Sequence, residues 1–216
     1  MVGFRQWFGV AALVAGSFPW LAADAHEPPP IVPFCTMCHG DPGPSPFSGV
    51  PTIHGLPAGV IEAALYSFRA QERPCRVSDC SKLGTCPDIS MCDIAGGMGD
   101  DEIDLLAYWY SQQPFPAHQD PYDPELAARG REIHDRYCEV CHTKLGSQPI
   151  DDASMLRGQR KVYLRNALED FKEGRRSVGL AAMDERFKEF DERDIAALAE
   201  FFSGPAAYPL PGEQER

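Results

Sequence analysis

The sequence predicts an all-α protein in which two similar domains lie in tandem, joined by a proline-rich linker. Its 216 residues are long for one small domain and sufficient for two of about 100 residues each. Segments of the first half recur in order in the second half. Apolar residues recur at three- and four-residue spacing, which is typical of amphipathic helices, and no alternating run indicates a sheet.

An internal repeat aligns the two halves of the chain. Adding 103 to a residue number maps Gly55 onto Gly158, and beyond Arg73 an offset of 92 maps Met91 onto Met183. The drop in offset means that the first half carries 11 extra residues between Arg73 and Met91. We therefore interpret the chain as two copies of one domain, the first of which has an insertion.

The repeat and the composition predict the domain boundaries. They are a signal peptide over 1–25, a first domain over 26–112 with an insertion at about 74–92, a linker over 113–122, a second domain over 123–204 and a tail over 205–216. Asp123 and Pro124 are typical of an N-cap and a first helical residue, so a helix is predicted from there to Tyr137. Gly130 would let that helix cross another one closely. Further helices are predicted over 60–69, 100–111, 163–172 and 191–203.

The first residues have the features of an export signal. Arg5 precedes an apolar run from Phe8 to Leu21, and residues 23–25 fit the small-x-small pattern at which signal peptides are cleaved. A retained anchor is the alternative, but the run is short for a membrane span of about 20 residues. Cleavage after Ala25 predicts a periplasmic protein, and no later segment is expected to cross a membrane.

The charge of the chain limits its partners. The net charge is −12 at pH 7, and removal of residues 1–25 leaves it unchanged because Arg5 and Asp24 cancel. Such an acidic chain is a poor ligand for nucleic acid or for an anionic membrane. It could attract a basic partner protein, although solubility alone also explains the charge.

Two pentapeptides of the form C-x-x-C-H carry the most specific chemistry. They are Cys35-Thr-Met-Cys38-His39 and Cys138-Glu-Val-Cys141-His142. In this c-type haem attachment signature two thiols add to the haem vinyl groups, and the histidine becomes the proximal iron ligand. Two copies about one domain apart predict two haem c groups. The predicted attachment and proximal residues are Cys35, Cys38 and His39 for the first haem and Cys138, Cys141 and His142 for the second.

Each proximal histidine also needs a hydrogen-bond acceptor that fixes its ring. Pro51 and Ser154 precede the equivalent positions Ile53 and Leu156. We expect a backbone carbonyl group in these two segments to accept the imidazole N–H.

The repeat selects the second axial ligands. A low-spin electron-transfer haem takes a methionine or a histidine as its second ligand. Met91 and Met183 correspond, and each lies 12 residues before an equivalent isoleucine, so they are predicted to bind the first and the second iron. Met98 aligns with Phe190 and is expected to pack in the core.

The other candidates have weaker support. Met37 lies on the proximal side, inside an attachment loop, and Met155 has no methionine partner in the repeat. His134 is expected to pack or to face solvent. For His54 and His118 a surface role is favoured over iron ligation.

Four further cysteines lie in or beside the insertion, and the second domain has no counterparts. They are Cys75, Cys80, Cys86 and Cys92. Two disulfide bonds are the favoured interpretation in an oxidising compartment. A zinc or iron–sulfur site is a weaker alternative. A sharper alternative is that a thiolate, Cys92 above all, ligates the first iron.

Several segments resemble the tandem di-haem cytochromes, a group that includes cytochrome c-four and the haem subunit of flavocytochrome c sulfide dehydrogenase. The segments are Met183-Asp-Glu-Arg-Phe with the final helix, Leu156-Arg-Gly-Gln159, Tyr163-Leu164, Phe171-Lys-Glu-Gly-Arg175 and Pro51-Thr-Ile-His-Gly55-Leu. The second motif, Cys138-Glu-Val-Cys-His142, is followed by a loop with the acidic residues Asp151 and Asp152. This combination resembles the flavocytochrome subunit more than cytochrome c-four. The cysteine-bearing insertion departs from both relatives.

The resemblance implies two cytochrome c-like domains and a periplasmic electron-transfer protein without catalytic residues of its own. Its implied donor is an FAD-containing, sulfide-oxidising flavoprotein subunit, and its implied acceptor is a downstream cytochrome or oxidase. Two alternatives stay open at this point. One is a free cytochrome c-four-like shuttle to a terminal oxidase, and the other is a di-haem thiosulfate dehydrogenase-like enzyme with a Cys-ligated haem.

Overall fold

The computed structural model describes residues 27–77, 89–150, 152–177 and 179–205. The predicted signal peptide, nearly all of the predicted tail, and Cys80 and Cys86 lie outside the described residues. Helices form almost all of the regular structure in these ranges. They are α1 (Val32–His39), α2 (Ala58–Arg69), α3 (Met91–Gly96), α4 (Asp100–Ser111), α5 (Pro124–Tyr137), the single turn α6 (Thr143–Gly146), α7 (Lys161–Lys172), α8 (Ala181–Glu189) and α9 (Glu192–Ser203). A two-residue strand β1 (Gln148–Pro149) follows α6.

The helices confirm the all-α prediction and the internal repeat. An offset of 103 carries the bounds of α2 onto those of α7, and an offset of 92 carries α4 onto α9. The repeat extends to single contacts. The N–H of Gly55 donates to the carbonyl of Tyr110 at 2.9 Å, and the N–H of Gly158 donates to the carbonyl of Phe202 at 3.0 Å. Both glycines have positive φ, which a side chain would strain.

Each half of the chain has its own apolar core. The first core joins α2, α3 and α4 around buried Ile61, Leu65, Ile103 and Leu106. The second joins α5, α7, α8 and α9 around Leu164, Phe171, Ile195 and Phe202. Each cluster is built mainly from the helices of its own half, with Met155 of the second half packed against the first cluster. This packing is what two adjoining domains would show.

Helix α5 packs along α9 and closes the second domain. The side chain of Asp123 caps α5 by accepting from the N–H groups of Glu125 and Leu126, at 2.9 and 3.1 Å, and Pro124 is the first helical residue. At the crossing, a Cβ atom on Gly130 would lie only 2.1 Å from the carbonyl oxygen of Ala197. The structure therefore confirms both the predicted start of this helix and the predicted close crossing at Gly130.

A disulfide bond ties the insertion to the first domain. Cys75 is bonded to Cys92 on α3, with their Cα atoms 5.4 Å apart. Next to the disulfide, Arg76 forms a bidentate ion pair with Asp170 on α7 of the second domain, in which Nη2 lies 2.6 Å from Oδ1. The insertion thus connects to both domains. No helix among the described residues is long and apolar enough to cross a membrane.

Candidate haem sites

The two C-x-x-C-H motifs lie on different local structures. In the first domain α1 carries all of Cys35, Cys38 and His39. In the second domain Cys138 is the C-cap residue of α5, and the chain then makes a turn in which the His142 N–H donates to the Cys138 carbonyl at 2.9 Å. The four motif cysteines are the free cysteines of the described part of the chain.

A backbone carbonyl holds each motif histidine. Nδ1 of His39 lies 2.8 Å from the carbonyl oxygen of Pro51, and Nδ1 of His142 lies 2.9 Å from that of Ser154. These are the two segments in which the sequence predicts such an acceptor. An imidazole that donates from Nδ1 has its Nε2 lone pair available for a metal ion. The ring of each histidine is therefore already in the tautomer that an iron ligand requires.

Burial favours the uncharged forms of both motif histidines and of three motif thiols. It lowers the pKa of His39 and of His142, and the hydrogen bonds to Pro51 and Ser154 offset this only in part. Burial also raises the pKa of the Cys35 and Cys38 thiols, and raises that of Cys138 to about 11. These residues suit a covalently attached haem, because the thiols can form the covalent links and the oriented imidazole can bind the iron.

The methionines occupy corresponding positions on the two short helices that precede α4 and α9. Met91 is the first residue of α3, and Met183 is the third residue of α8. Both are partly buried and pack against the core of their own domain. Met98 is 7% exposed within the first core, and its repeat counterpart Phe190 is 6% exposed within the second. Met91 and Met183 stay the predicted second axial ligands.

Two disulfide bonds among the insertion cysteines were one prediction, and one such bond lies within the described residues. The pairing of Cys75 with Cys92 contradicts the alternative in which the Cys92 thiolate ligates the first iron, because a disulfide sulfur carries no thiolate charge. Cys80 and Cys86 lie outside the described residues.

The histidines outside the motifs require one correction. His54 is 2% exposed, so the predicted surface role was wrong; it packs edge-on against Tyr110, with ring centroids 5.0 Å apart. His118 is partly exposed, and its Nε2 lies 3.2 Å from Oδ1 of Asp120. His134 is fully buried, and its Nε2 lies 2.8 Å from the carbonyl oxygen of His142. His134 therefore fixes the backbone of the histidine in the second motif.

Sequence reasoning missed a contact between the domains that bears on the first site. Gln159 of the second domain is 1% exposed. Its side-chain amide forms hydrogen bonds with both the N–H and the carbonyl group of Thr52. The Thr52 N–H donates to Oε1 at 2.9 Å, and Nε2 donates to the Thr52 carbonyl at 2.6 Å. Thr52 directly follows Pro51, whose carbonyl holds His39. The only sequence signal was a polar residue at the position that Leu56 occupies in the first domain.

This fold and these two sites resemble those of one class of protein, the tandem di-haem c-type cytochromes. Each domain offers the thiols and the proximal imidazole for one haem c, with Cys35, Cys38 and His39 in the first and the equivalent triplet of the second motif. The residues that are present thus fit two haem c groups.

Comparison with known proteins agrees with that class. Cytochrome c4 of Azotobacter vinelandii is 26% identical over 179 residues, which cover 79% of this chain and 83% of the relative. Cytochrome c4 of Stutzerimonas stutzeri is 26% identical over 192 residues, which cover 85% of this chain and 90% of the relative. No protein-family model matches the chain.

Solved structures share the fold. Reduced recombinant cytochrome c4 from Pseudomonas stutzeri superposes with a TM-score of 0.64 at 24% identity, over 80% of this chain and 94% of that chain. Thiosulfate dehydrogenase (TsdBA) from Marichromatium purpuratum superposes with a TM-score of 0.64 at 23% identity, over 78% of this chain but 36% of that chain. The chain is therefore similar to cytochrome c4 over most of its length.

Proposed function

We propose that this chain is an exported electron carrier that takes electrons from a redox partner and passes them to a downstream cytochrome or oxidase. The observation that carries the proposal is the duplicated site. In each domain a backbone carbonyl orients the motif histidine, and a methionine lies at the corresponding place on the helix before the last one. When bound, each haem c supplies one-electron redox chemistry.

The residues of the chain would set the properties of that chemistry. His39 and Met91 would hold the first iron, and His142 and Met183 would hold the second. Methionine as the second ligand raises a haem potential. A closed coordination sphere also leaves no iron position for a substrate, which favours a carrier over an enzyme.

The identity of the partner is a further part of the proposal. Similarity to cytochrome c4 favours a free shuttle to a terminal oxidase. The flavoprotein subunit of a sulfide dehydrogenase stays a candidate donor because the second motif has the form Cys138-Glu-Val-Cys-His142, followed by Asp151 and Asp152. The enzyme alternative is less favoured, because Cys92, its leading candidate for a thiolate ligand, is in a disulfide bond.

The test is spectroscopy of the purified holoprotein. A His/Met haem shows a weak long-wavelength charge-transfer band in the ferric state, and its ferrous state does not bind carbon monoxide. We expect a band intensity that corresponds to two such haems per chain and no change on addition of carbon monoxide. Carbon monoxide binding to either haem, or reduction of the ferric protein by thiosulfate alone, would contradict the carrier function.

A further inference from the structure

One helix face is covered in the second domain and, among the described residues, uncovered in the first. In the second domain α5 covers α9, with Gly130 against the backbone of Ala197. Arg129 of α5 donates two hydrogen bonds to the Asp194 carboxylate of α9, at 3.0 and 2.6 Å. Ala197 is 0% exposed as a result.

The corresponding face of α4 has no such cover among the described residues. The offset of 92 places Leu105 where the second domain has Ala197, and Glu102 where it has Asp194. Leu105 is 52% exposed, and Glu102 is exposed as well. On α9, Gly130 of α5 contacts Ala197 and Arg129 of α5 bonds Asp194. At the two corresponding positions of α4 the first domain presents the apolar side chain of Leu105 and the carboxylate of Glu102.

Proline explains why the first domain does not build its own cover within the described residues. The counterpart of α5 would occupy residues 21–34, and the described part of that range contains Pro28, Pro29, Pro30 and Pro33. Proline lacks the N–H that an interior helical position donates, and its ring clashes with the preceding turn. Helix α1 accordingly begins only at Val32.

A groove lies where the cover helix would lie. It has a volume of about 320 Å³ and is lined by Pro29, Pro30, Ile31, Glu102 and Leu105. Its floor is apolar and its edge on α4 is acidic. The chain thus has a concave, partly apolar surface with an acidic edge on this side of α4.

We propose that this open α4 face, comprising Asp101, Glu102 and Leu105 with the adjoining groove, docks a basic redox partner protein. The partner places a cation on Glu102 and apolar side chains on Leu105. The proposal rests on the electron-carrier function above and names the surface that such a carrier uses.

Charge identifies the kind of partner. Asp101, Glu102 and Asp104 are exposed, and within the described residues none of them pairs with a basic side chain. Residues 26–112 hold four basic and eleven acidic residues, so the surrounding field is negative. A second copy of the chain would bring the same carboxylates against each other, which disfavours self-association. A basic surface is attracted instead.

The experiment uses the mature holoprotein and a basic mitochondrial cytochrome c as the probe. Amide NMR shifts of the reduced chain are recorded as reduced probe is added. Stopped-flow absorbance then measures electron transfer from the reduced chain to the ferric probe at low salt. The test variant is Asp101→Lys with Glu102→Gln; the glutamine keeps a side-chain oxygen for the Gly99 N–H, which Glu102 accepts at 3.0 Å. The control is Glu125→Lys with Glu132→Gln, the same charge change on exposed positions of α5.

We expect shifts centred on α4 and a bimolecular rate about tenfold lower in the test variant, with less than a twofold change in the control. Equal rates in the two variants, or shifts centred elsewhere, would overturn the docking face while leaving the electron-carrier function intact. Absence of any electron exchange in the unmutated protein would overturn both. The docking proposal also fails if the isolated protein dimerises through Leu105, or if it retains residues 1–25 over this face, because the face then already has an occupant.

Discussion

The two domains hold the same kind of site on unequal scaffolds. The second domain is closed by α5 and tied by ion pairs such as Arg129–Asp194 and Lys161–Glu200, both at 2.6 Å. The first lacks that helix in its described part and has the Cys75–Cys92 disulfide instead. The domains share only a few local features. These are the C-x-x-C-H motif, a backbone carbonyl that accepts from the motif histidine, and a methionine on the helix before the last one. We therefore expect these shared local features to be sufficient for a haem site, with or without a cover helix.

The dependence between the domains runs mainly in one direction. Gln159 of the second domain holds the backbone next to the carbonyl that orients His39. Its counterpart Leu56 cannot return this contact because leucine has no hydrogen-bonding group. The second site instead has a local support, His134, which bonds the carbonyl of His142. The first site therefore relies on the second domain, and the second site relies on its own helix α5.

The largest effect is expected from removal of one pair of thiols. Cys138→Ala with Cys141→Ala should leave a holoprotein with one covalent haem, because the first motif is complete in itself. Intact-mass spectrometry should show one haem addition instead of two. Cys35→Ala with Cys38→Ala is the matched variant. A single haem in the unmutated protein would refute the equivalence of the two sites.

Removal of a methionine should open one iron and leave the other unchanged. Met183→Ala and Met91→Ala should each lower the potential of one haem by on the order of 100 mV, a fraction of the range of about 0.8 V that axial ligands span. Met98→Leu is the control, since Met98 lies in the first core. Spectroelectrochemistry resolves the two haems. If Met98→Leu changes a haem spectrum and Met91→Leu does not, the assignment in the first domain is wrong.

A side chain at the α5–α9 crossing should separate the stabilities of the two domains. Gly130→Ala would place a Cβ atom 2.1 Å from the Ala197 carbonyl oxygen, so α5 must shift. We expect a loss of about 1–3 kcal/mol in the free energy of unfolding of the second domain. Denaturant titration, monitored at the haem absorption bands, measures it. Gly96→Ala in α3 is the control, because nothing lies within 4 Å of its Cβ position. Equal effects of the two variants would mean that α5 does not stabilise the second domain.

A smaller and more specific effect is expected from the contact between the domains. Gln159→Leu copies the residue of the first domain and leaves the N–H and carbonyl of Thr52 buried without partners, which costs about 1–3 kcal/mol. The potential of the first haem should shift while that of the second stays constant, although the substituted residue belongs to the second domain. Gln148→Leu, at an exposed position, is the control. An unchanged first haem would show that Gln159 serves interface stability alone.

Local patterns made much of the fold predictable. The repeat offsets located α4 and α9 because capping acids and helical periodicity are encoded within each segment. Residues that are close in sequence also revealed the acceptors behind His39 and His142. These features are short-range, so no knowledge of the packing between domains was needed.

Long-range packing made the remainder unpredictable. Gln159 and Thr52 are 107 residues apart, and their contact depends on how the domains meet. His54 resembled a surface residue because nothing local shows that Tyr110 will cover it. The pairing of Cys75 with Cys92 could not follow from spacing, since four cysteines allow three connectivities. The open α4 face did have a signal, the run Pro28 to Pro30 at the place where the second domain has a helix.

Both irons are predicted to bind a methionine despite the different scaffolds. Proton NMR of the reduced holoprotein tests it most directly, because the methyl group of an iron-bound methionine resonates far upfield of all other protein signals. We predict two such three-proton signals per chain, of which Met91→Ala removes one and Met183→Ala the other. A single upfield methyl signal, or two signals of which neither is lost in Met91→Ala, would contradict the claim.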